Sequence, residues 1–325
     1  MEPRKIFRSG KGSYILTLPK EWIRKKGLKE GDVLYLETSD EHILILARHH
    51  RNKKALLDLG NSNFEEVVRR IIAYYLANYD MLRVKVHSDE QRRAIAFASD
   101  TLIGMEVMED TGDEIELMVH LDSSRIDVEE LIGRIANVCI SMLSDFVKIS
   151  FGKFDRGVVS SIIIREGEVD RLCFLILRIA GNLKFHRSFA RIMERIADHI
   201  EHMAEAILNL GKCYDELSIG KDVLEILKLS SMAFQKSEIE MAEEVLQKAA
   251  KLKGKIINLQ EKIINYSKSE IIALKTILDG MERILAYSCD IAEIVIDRSV
   301  EHDFERIYNK IVEQQTSPLS TGKSL

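Results

Sequence analysis

Proline is nearly absent from this chain of 325 residues. Pro3, Pro19 and Pro318 are the only three, so no proline interrupts a helix between residues 20 and 317. No run of 18 apolar residues occurs, so no membrane-spanning helix is expected. Residues 1–20 open on charges and lack a continuous apolar stretch, which argues against a secretory leader. The four cysteines, Cys139, Cys173, Cys213 and Cys289, are too scattered for a CxxC metal site or a disulfide framework. Each falls in an apolar, helix-like segment, and they read as reduced core residues of a cytoplasmic protein. Catalytic signatures are missing as well: there is no HExxH, no nucleophile motif and no phosphate-binding glycine loop. Gly10-Lys11-Gly12-Ser13 lacks the full Walker spacing and opens no helix. No enzyme is expected.

The charge present is unevenly spread. The whole chain carries −5, yet residues 1–54 hold 13 Lys and Arg against 7 Asp and Glu, a local +6 that leaves −11 on the rest. A basic head on an acidic body points to a localised polyanion site, unless the clustering is chance in a short window.

The head also differs in pattern. Short β-type runs at Lys5–Arg8, Ser13–Leu18, Val33–Glu37 and Ile43–Leu46 are separated by Gly10, Gly12, Gly31-Asp32 and Ser39-Asp40. Pro19 is placed at the first position of a short helix, Lys20–Lys26, which Gly27 closes. Residues 60–122 read as a small α/β segment. A helix capped by Asn61 or Ser62 runs to about Ala77, followed by a strand at Leu82–His87 and a helix at Asp89–Leu102. A hairpin then turns at Thr111-Gly112-Asp113.

From Asp127 to about Ser299 apolar residues recur at helical spacing, giving helices near 127–152, 155–184, 187–211, 218–235, 237–266 and 270–299. Breaks are expected at Phe185-His186-Arg187 and Tyr266-Ser267-Lys268. The six helices form two sets of three, because Met193-Glu194-Arg195-Ile196 returns as Met281-Glu282-Arg283-Ile284, 88 residues later. The domain organisation is therefore 1–50, 60–122, 126–302 (repeats of about 126–212 and 217–302) and a polar tail, 303–325.

The head resembles the AbrB/SpoVT family of swapped-hairpin barrels. The likeness rests on Arg4–Ser13, on Leu18-Pro19-Lys20-Glu21-Trp22 and on Gly27-Leu28-Lys29-Glu30-Gly31-Asp32, about 45 residues in all. It implies a β-barrel interleaved from two chains, hence a homodimer or higher homo-oligomer, since four short strands cannot bury a core alone. It also implies DNA binding through Arg4, Lys5, Arg8, Lys11, Ser13, Lys20, Arg24, Lys25 and Lys26, with arginines best suited to guanine edges. Trp22 reads as a core anchor. Antitoxin members use the same barrel as a dimer hub only.

The helical body resembles the PhoU family of phosphate-uptake regulators, whose archaeal branch includes members with an AbrB-like head. Arg191–Glu205 carries the third-helix pattern Glu-Arg-Ile-x-Asp, and Glu166-Gly167-Glu168-Val169-Asp170 the second acidic motif. The resemblance implies a metal site of iron or another divalent ion on Glu166, Asp170, Glu194 and Asp198, with His202 as a nitrogen ligand. Residues four apart share a helix face, so two antiparallel helices can converge these carboxylates. Spacing alone is a weak signal: about eight such acid pairs are expected by chance, mostly on solvated surface. The second repeat departs from the motif, with Ala249 opposite Glu166, Lys253 opposite Asp170, Glu282 opposite Glu194 and Ala286 opposite Asp198. Its site is expected to be empty.

The fold expectation is a multidomain, mostly α protein: a swapped-hairpin β-barrel, a small α/β segment and two tandem three-helix bundles. The functional expectation is a cytoplasmic, DNA-binding transcriptional regulator of phosphate uptake and phosphate homeostasis. The alternative is an adaptor for a phosphate transporter or signalling kinase that uses its barrel only as a clamp.

Overall fold

Turn chemistry shapes the N-terminal residues. In the computed structural model, which describes residues 4–10, 12–38, 43–46, 53–122 and 125–316, strand β1 (Ile6–Ser9) pairs antiparallel with β2 (Ser13–Leu16), Ile6 facing Leu16. Helix α1 spans Lys20–Lys26 as the sequence predicts, but Pro19 sits at its cap, not inside its first turn. Its ψ of 127° is extended, so the helix starts one residue later. Gly27 ends the helix in the left-handed region, φ 66°, where a side chain would be strained. The following Lys29–Asp32 turn is fixed by Asp32, whose Oδ2 accepts from the Lys29 amide at 2.7 Å. Strand β3 (Tyr35–Thr38) then pairs with β4 (Ile43–Leu46). These two hairpins are separate two-stranded sheets. They bury little: Ile6, Phe7, Tyr14, Ile15, Leu16, Val33, Leu36 and Ile43 are all exposed, and α1 has no buried residue. The compact unit they build, Met1–Lys54, coincides with the basic window of the sequence.

The second unit, Ala55–Leu325, begins with a strand that the pattern did not reveal. β5 (Lys54–Asp58) joins β6 (Met81–Lys85), β7 (Met105–Asp110) and β8 (Glu114–Val119) in the order β5-β6-β8-β7. Period-two alternation turns Leu82, Val84, Ile115 and Leu117 to one face. That face packs on Val67, Ile71 and Tyr75 of α2 (Phe64–Leu76) and on Ala94, Ile95 and Ala98 of α3 (Asp89–Thr101). The cap of α2 is Asn63, not Asn61 or Ser62, because Asn63 and Glu66 form a reciprocal capping box.

The body is made of α4 (Val128–Phe151), α5 (Arg156–Ile179), α6 (Lys184–Leu210), α7 (Gly220–Lys236), α8 (Ile239–Lys262) and α9 (Lys268–Thr316). Helices α4, α5 and α6 pack together, as do α7, α8 and α9, and α6–α9 and α4–α7 contacts fuse both sets into one core. Two boundaries differ from the sequence reading. The α5–α6 break falls at residues 180–183, where Gly181 takes φ 49°, so Phe185-His186-Arg187 lie inside α6. His186 is buried there, with Nε2 2.6 Å from Glu129 Oε1 and its ring edge-on to Phe234. The last helix runs on to Thr316 instead of ending near 299, consistent with the absence of proline between residues 20 and 317. The four cysteines are free, Cys139 and Cys173 buried. Among the described residues no helix is long and apolar enough to cross a membrane.

Candidate functional site

Two neighbouring helices of the body gather acids. Glu166 and Asp170 lie one turn apart on α5, and Glu194 and Asp198 one turn apart on α6. Glu166, Asp170 and Asp198 each offer a carboxylate oxygen within 4.8 Å of the others, all three partly buried. Burial and mutual repulsion then push the carboxyls up. Glu166 rises to about 8, through burial first and then Asp170, Glu201, Asp198 and Glu194. Glu194 rises to about 7 by burial and the charges of Asp198 and Asp170, against Arg195 and Arg191. Asp170 rises to about 6 by burial, Asp198 and Glu201. Asp198 also shifts up by burial, opposed by His202, His199 and Arg195. Packing and mutual repulsion thus favour the protonated, neutral form of the cluster, and a cation between the carboxylates would favour its ionised form.

Three of the four sequence-predicted carboxylates therefore converge, with Glu194 beside them. His202 does not join the converging atoms; it is exposed on the far side of Asp198. Helical geometry explains this. At about 100° per residue, Glu194 and Glu201 lie roughly 40° and 60° to one side of Asp198, toward α5, while His202 lies roughly 40° to the other. Glu201 is the residue that the sequence reading passed over. It raises both Glu166 and Asp170 and is itself raised, mainly by burial. Its signal was present, seven residues after Glu194 on the same face. An all-oxygen donor set of this kind fits a hard or borderline divalent cation.

The second repeat presents a different lining. Ala249 is buried, and Lys253 Nζ stands 3.5 Å from Glu282 Oε1. Lys253, Glu282 and Ala286 line one groove together with His199, His202 and Arg283.

In the head, Arg4, Lys5 and Arg8 lie on or beside β1, Ser13 begins β2, and Lys20, Arg24, Lys25 and Lys26 belong to α1; all are exposed. Lys11 lies outside the described residues. Trp22 is partly buried.

Comparison with known proteins follows the same division. Residues 7–54 match the family model described as antidote-toxin recognition MazE, bacterial antitoxin. Residues 132–207, from α4 into α6, match the PhoU domain model. Among solved structures, the chain is similar to PhoU from Pseudomonas aeruginosa, at 19% identity and TM-score 0.49, over 52% of this chain and 94% of that one. It is also similar to the phosphate transport system regulatory protein PhoU from Streptococcus pneumoniae, at 19% identity and TM-score 0.47, over 52% of this chain and 91% of that one. No curated protein matches. The chain is thus similar to a MazE antitoxin model in its N-terminal unit and to the PhoU domain model in the first part of its helical body.

Proposed function

We propose that this protein is a cytoplasmic, DNA-binding transcriptional regulator of phosphate uptake, acting as a homodimer. The observation that carries the reading is the joining, in one chain, of an exposed basic unit of the MazE type to a PhoU domain. The basic unit supplies phosphate-backbone contacts through Arg4, Lys5, Arg8, Lys11, Ser13, Lys20, Arg24, Lys25 and Lys26. A dimer doubles that set and covers the apolar hairpin residues that one chain leaves in water. The body serves as the sensor. A divalent cation such as iron would be held by Glu166, Asp170 and Asp198, with Glu194 beside them, and would supply positive charge that lets the cluster ionise at neutral pH. The regulatory chemistry is binding; no reaction is assigned to these residues.

A second reading also has an observation in its favour. The head exposes so much apolar surface that it would work as a dimer clamp alone, with the body acting as an adaptor for a phosphate transporter or signalling kinase. Electrophoretic mobility shift separates the two. The full chain is run on its own upstream DNA and on phosphate-transporter promoters at two salt concentrations, beside Arg4→Ala/Arg8→Ala. A sequence-preferring shift that weakens with salt and vanishes in the variant establishes the regulator. Absence of any shift at low salt sinks it and favours the adaptor.

A further inference from the structure

The groove of the second repeat is the counterpart of the carboxylate cluster, yet its chemistry is different. The repeat places Lys253, Glu282 and Ala286 where the first set has Asp170, Glu194 and Asp198, and these three line one open groove of about 660 Å3 between α6, α8 and α9. Two acidic positions have become alanine, one of them the exposed Ala286, and a third has become a lysine. The two acids that remain in the lining are already engaged. Glu282 faces Lys253, and Asp279 accepts from Lys275 Nζ at 2.9 Å and from Gln260 Nε2 at 2.9 Å. The lining thus holds two cations, Lys253 and Arg283, against two carboxylates, of which Glu282 is met by Lys253 and Asp279 by Lys275 from outside the groove.

Arg283 is the distinctive member. It is exposed, lines the groove, and has no hydrogen-bonding or ion-pairing acceptor among the described residues. Opposite it, α6 presents His199 and His202, with ring centroids 6.5 Å apart. His199 is partly buried and lines the groove beside His202. Asp198 is the acid that approaches the two histidines from the carboxylate side. Gly280 lets the wall close up: a Cβ there would stand 2.6 Å from Met203 Cγ on α6. A forked guanidinium, a loosely held ammonium and imidazole N–H donors around an open space are suited to one class of ligand.

We propose that this groove binds a small tetrahedral oxyanion with the charge and size of phosphate, held by Arg283 and Lys253 with His199 and His202 opposite. The molecule then carries two pseudo-equivalent sites of different chemistry: carboxylates alone in the first set of helices, and in the second an arginine unpaired among the described residues, beside carboxylates that lysines already meet. The site is independent of DNA binding by the head.

The test is titration of the full chain with inorganic phosphate, followed by calorimetry and by phosphorus NMR line broadening. Chelator is present so that no metal in the carboxylate cluster recruits the anion, and ionic strength is matched with chloride. A single saturable site is expected. Affinity should fall at least tenfold in Arg283→Gln and in Ala286→Glu, which places at an exposed position the negative charge that the first repeat has there. Lys228→Gln/Lys236→Gln, at exposed positions of α7, should bind as wild type. Circular dichroism verifies that each variant is folded. Absence of saturable binding in the wild type overturns the site. So does undiminished binding in both Arg283→Gln and Ala286→Glu, which would place the phosphate elsewhere.

Discussion

At the scale of single residues, Glu166 is the group whose energetics can be read most directly. Its carboxyl sits at about 8 in the folded chain and near 4.5 when unfolded. Between those values the folded state holds a proton that the unfolded state releases, so stability falls as pH rises through that window. Glu194, at about 7, and Asp170, at about 6, act in the same direction over narrower windows. Metal-free protein should therefore melt at progressively lower temperature from pH 5 to pH 8. Glu166→Gln should flatten the profile and gain about 1 kcal/mol at pH 8, a figure already reduced for solvent screening of a half-exposed group. Adding a divalent cation should raise the melting temperature more at pH 8 than at pH 5, because protons compete for the same oxygens. Thermal melts in chelator and then in excess metal check both statements. A melting temperature that stays flat from pH 5 to 8 would show that burial and repulsion do not raise these carboxyls in the folded chain. The candidate ligands were legible in sequence as i,i+4 pairs, but so were other acid pairs on solvated surfaces. Which pairs converge depends on how α5 turns into α6, and that turn lies at Gly181, several residues before the break read from the pattern. His202 shows the same limit, since its i+4 spacing from Asp198 could not say on which side of the helix a neighbour would stand.

At the scale of elements, the junction between the α/β layer and the helices hangs on Arg178 near the end of α5. Its guanidinium, 7% exposed, donates to the carbonyls of Tyr75 and Tyr79 at 2.6 and 3.0 Å and to Asp80 Oδ1 at 2.9 Å, and it lies over the Tyr75 ring. Burial costs the charge some of its preference for protonation, as its lowered pKa shows, and the acceptors compensate. Arg178→Ala leaves two carbonyls and a carboxylate without that donor and should cost ~3 kcal/mol. Arg178→Lys keeps the charge but cannot reach three acceptors from one ammonium, and should recover less than half of the loss. Hydrogen exchange should locate the damage. Protection should fall across residues 55–122 and persist in the helices of the body, and a loss confined to α5 would show that the junction is not held here. Sequence periodicity found the long elements because each buries one stripe or face. It missed β5 because Lys54–Asp58 is a short edge strand whose charged ends resemble a linker. It misplaced helix ends where a cap, not a pattern, decides, as at Asn63 and Pro19.

At the scale of the whole molecule, the head sets the question of partnership. A 54-residue unit that leaves Phe7, Ile15, Leu36 and Ile43 more than half exposed has little core of its own, and a second chain is the simplest way to cover those residues. Phe7→Lys/Leu36→Lys should therefore shift the full chain toward monomer in light scattering and abolish DNA binding, while the helical content of the body stays intact. Salt dependence tests the same stoichiometry from the DNA side. Each phosphate contact made by a basic side chain contributes roughly 0.9 to the slope of log affinity against log salt. Arg4→Ala/Arg8→Ala removes two such groups from each chain. A dimer presenting both copies to the duplex should lose about 3.6 from its slope, and a single engaged head about 1.8. If the slope is unchanged while affinity falls, these arginines support the fold of the head and do not touch phosphate, and the basic window would have to act through Lys5, Lys11, Ser13 and α1. A loss near the larger value would show that dimerisation and DNA contact are one arrangement: the apolar residues that hold two heads together would also align the basic residues of both chains along one duplex.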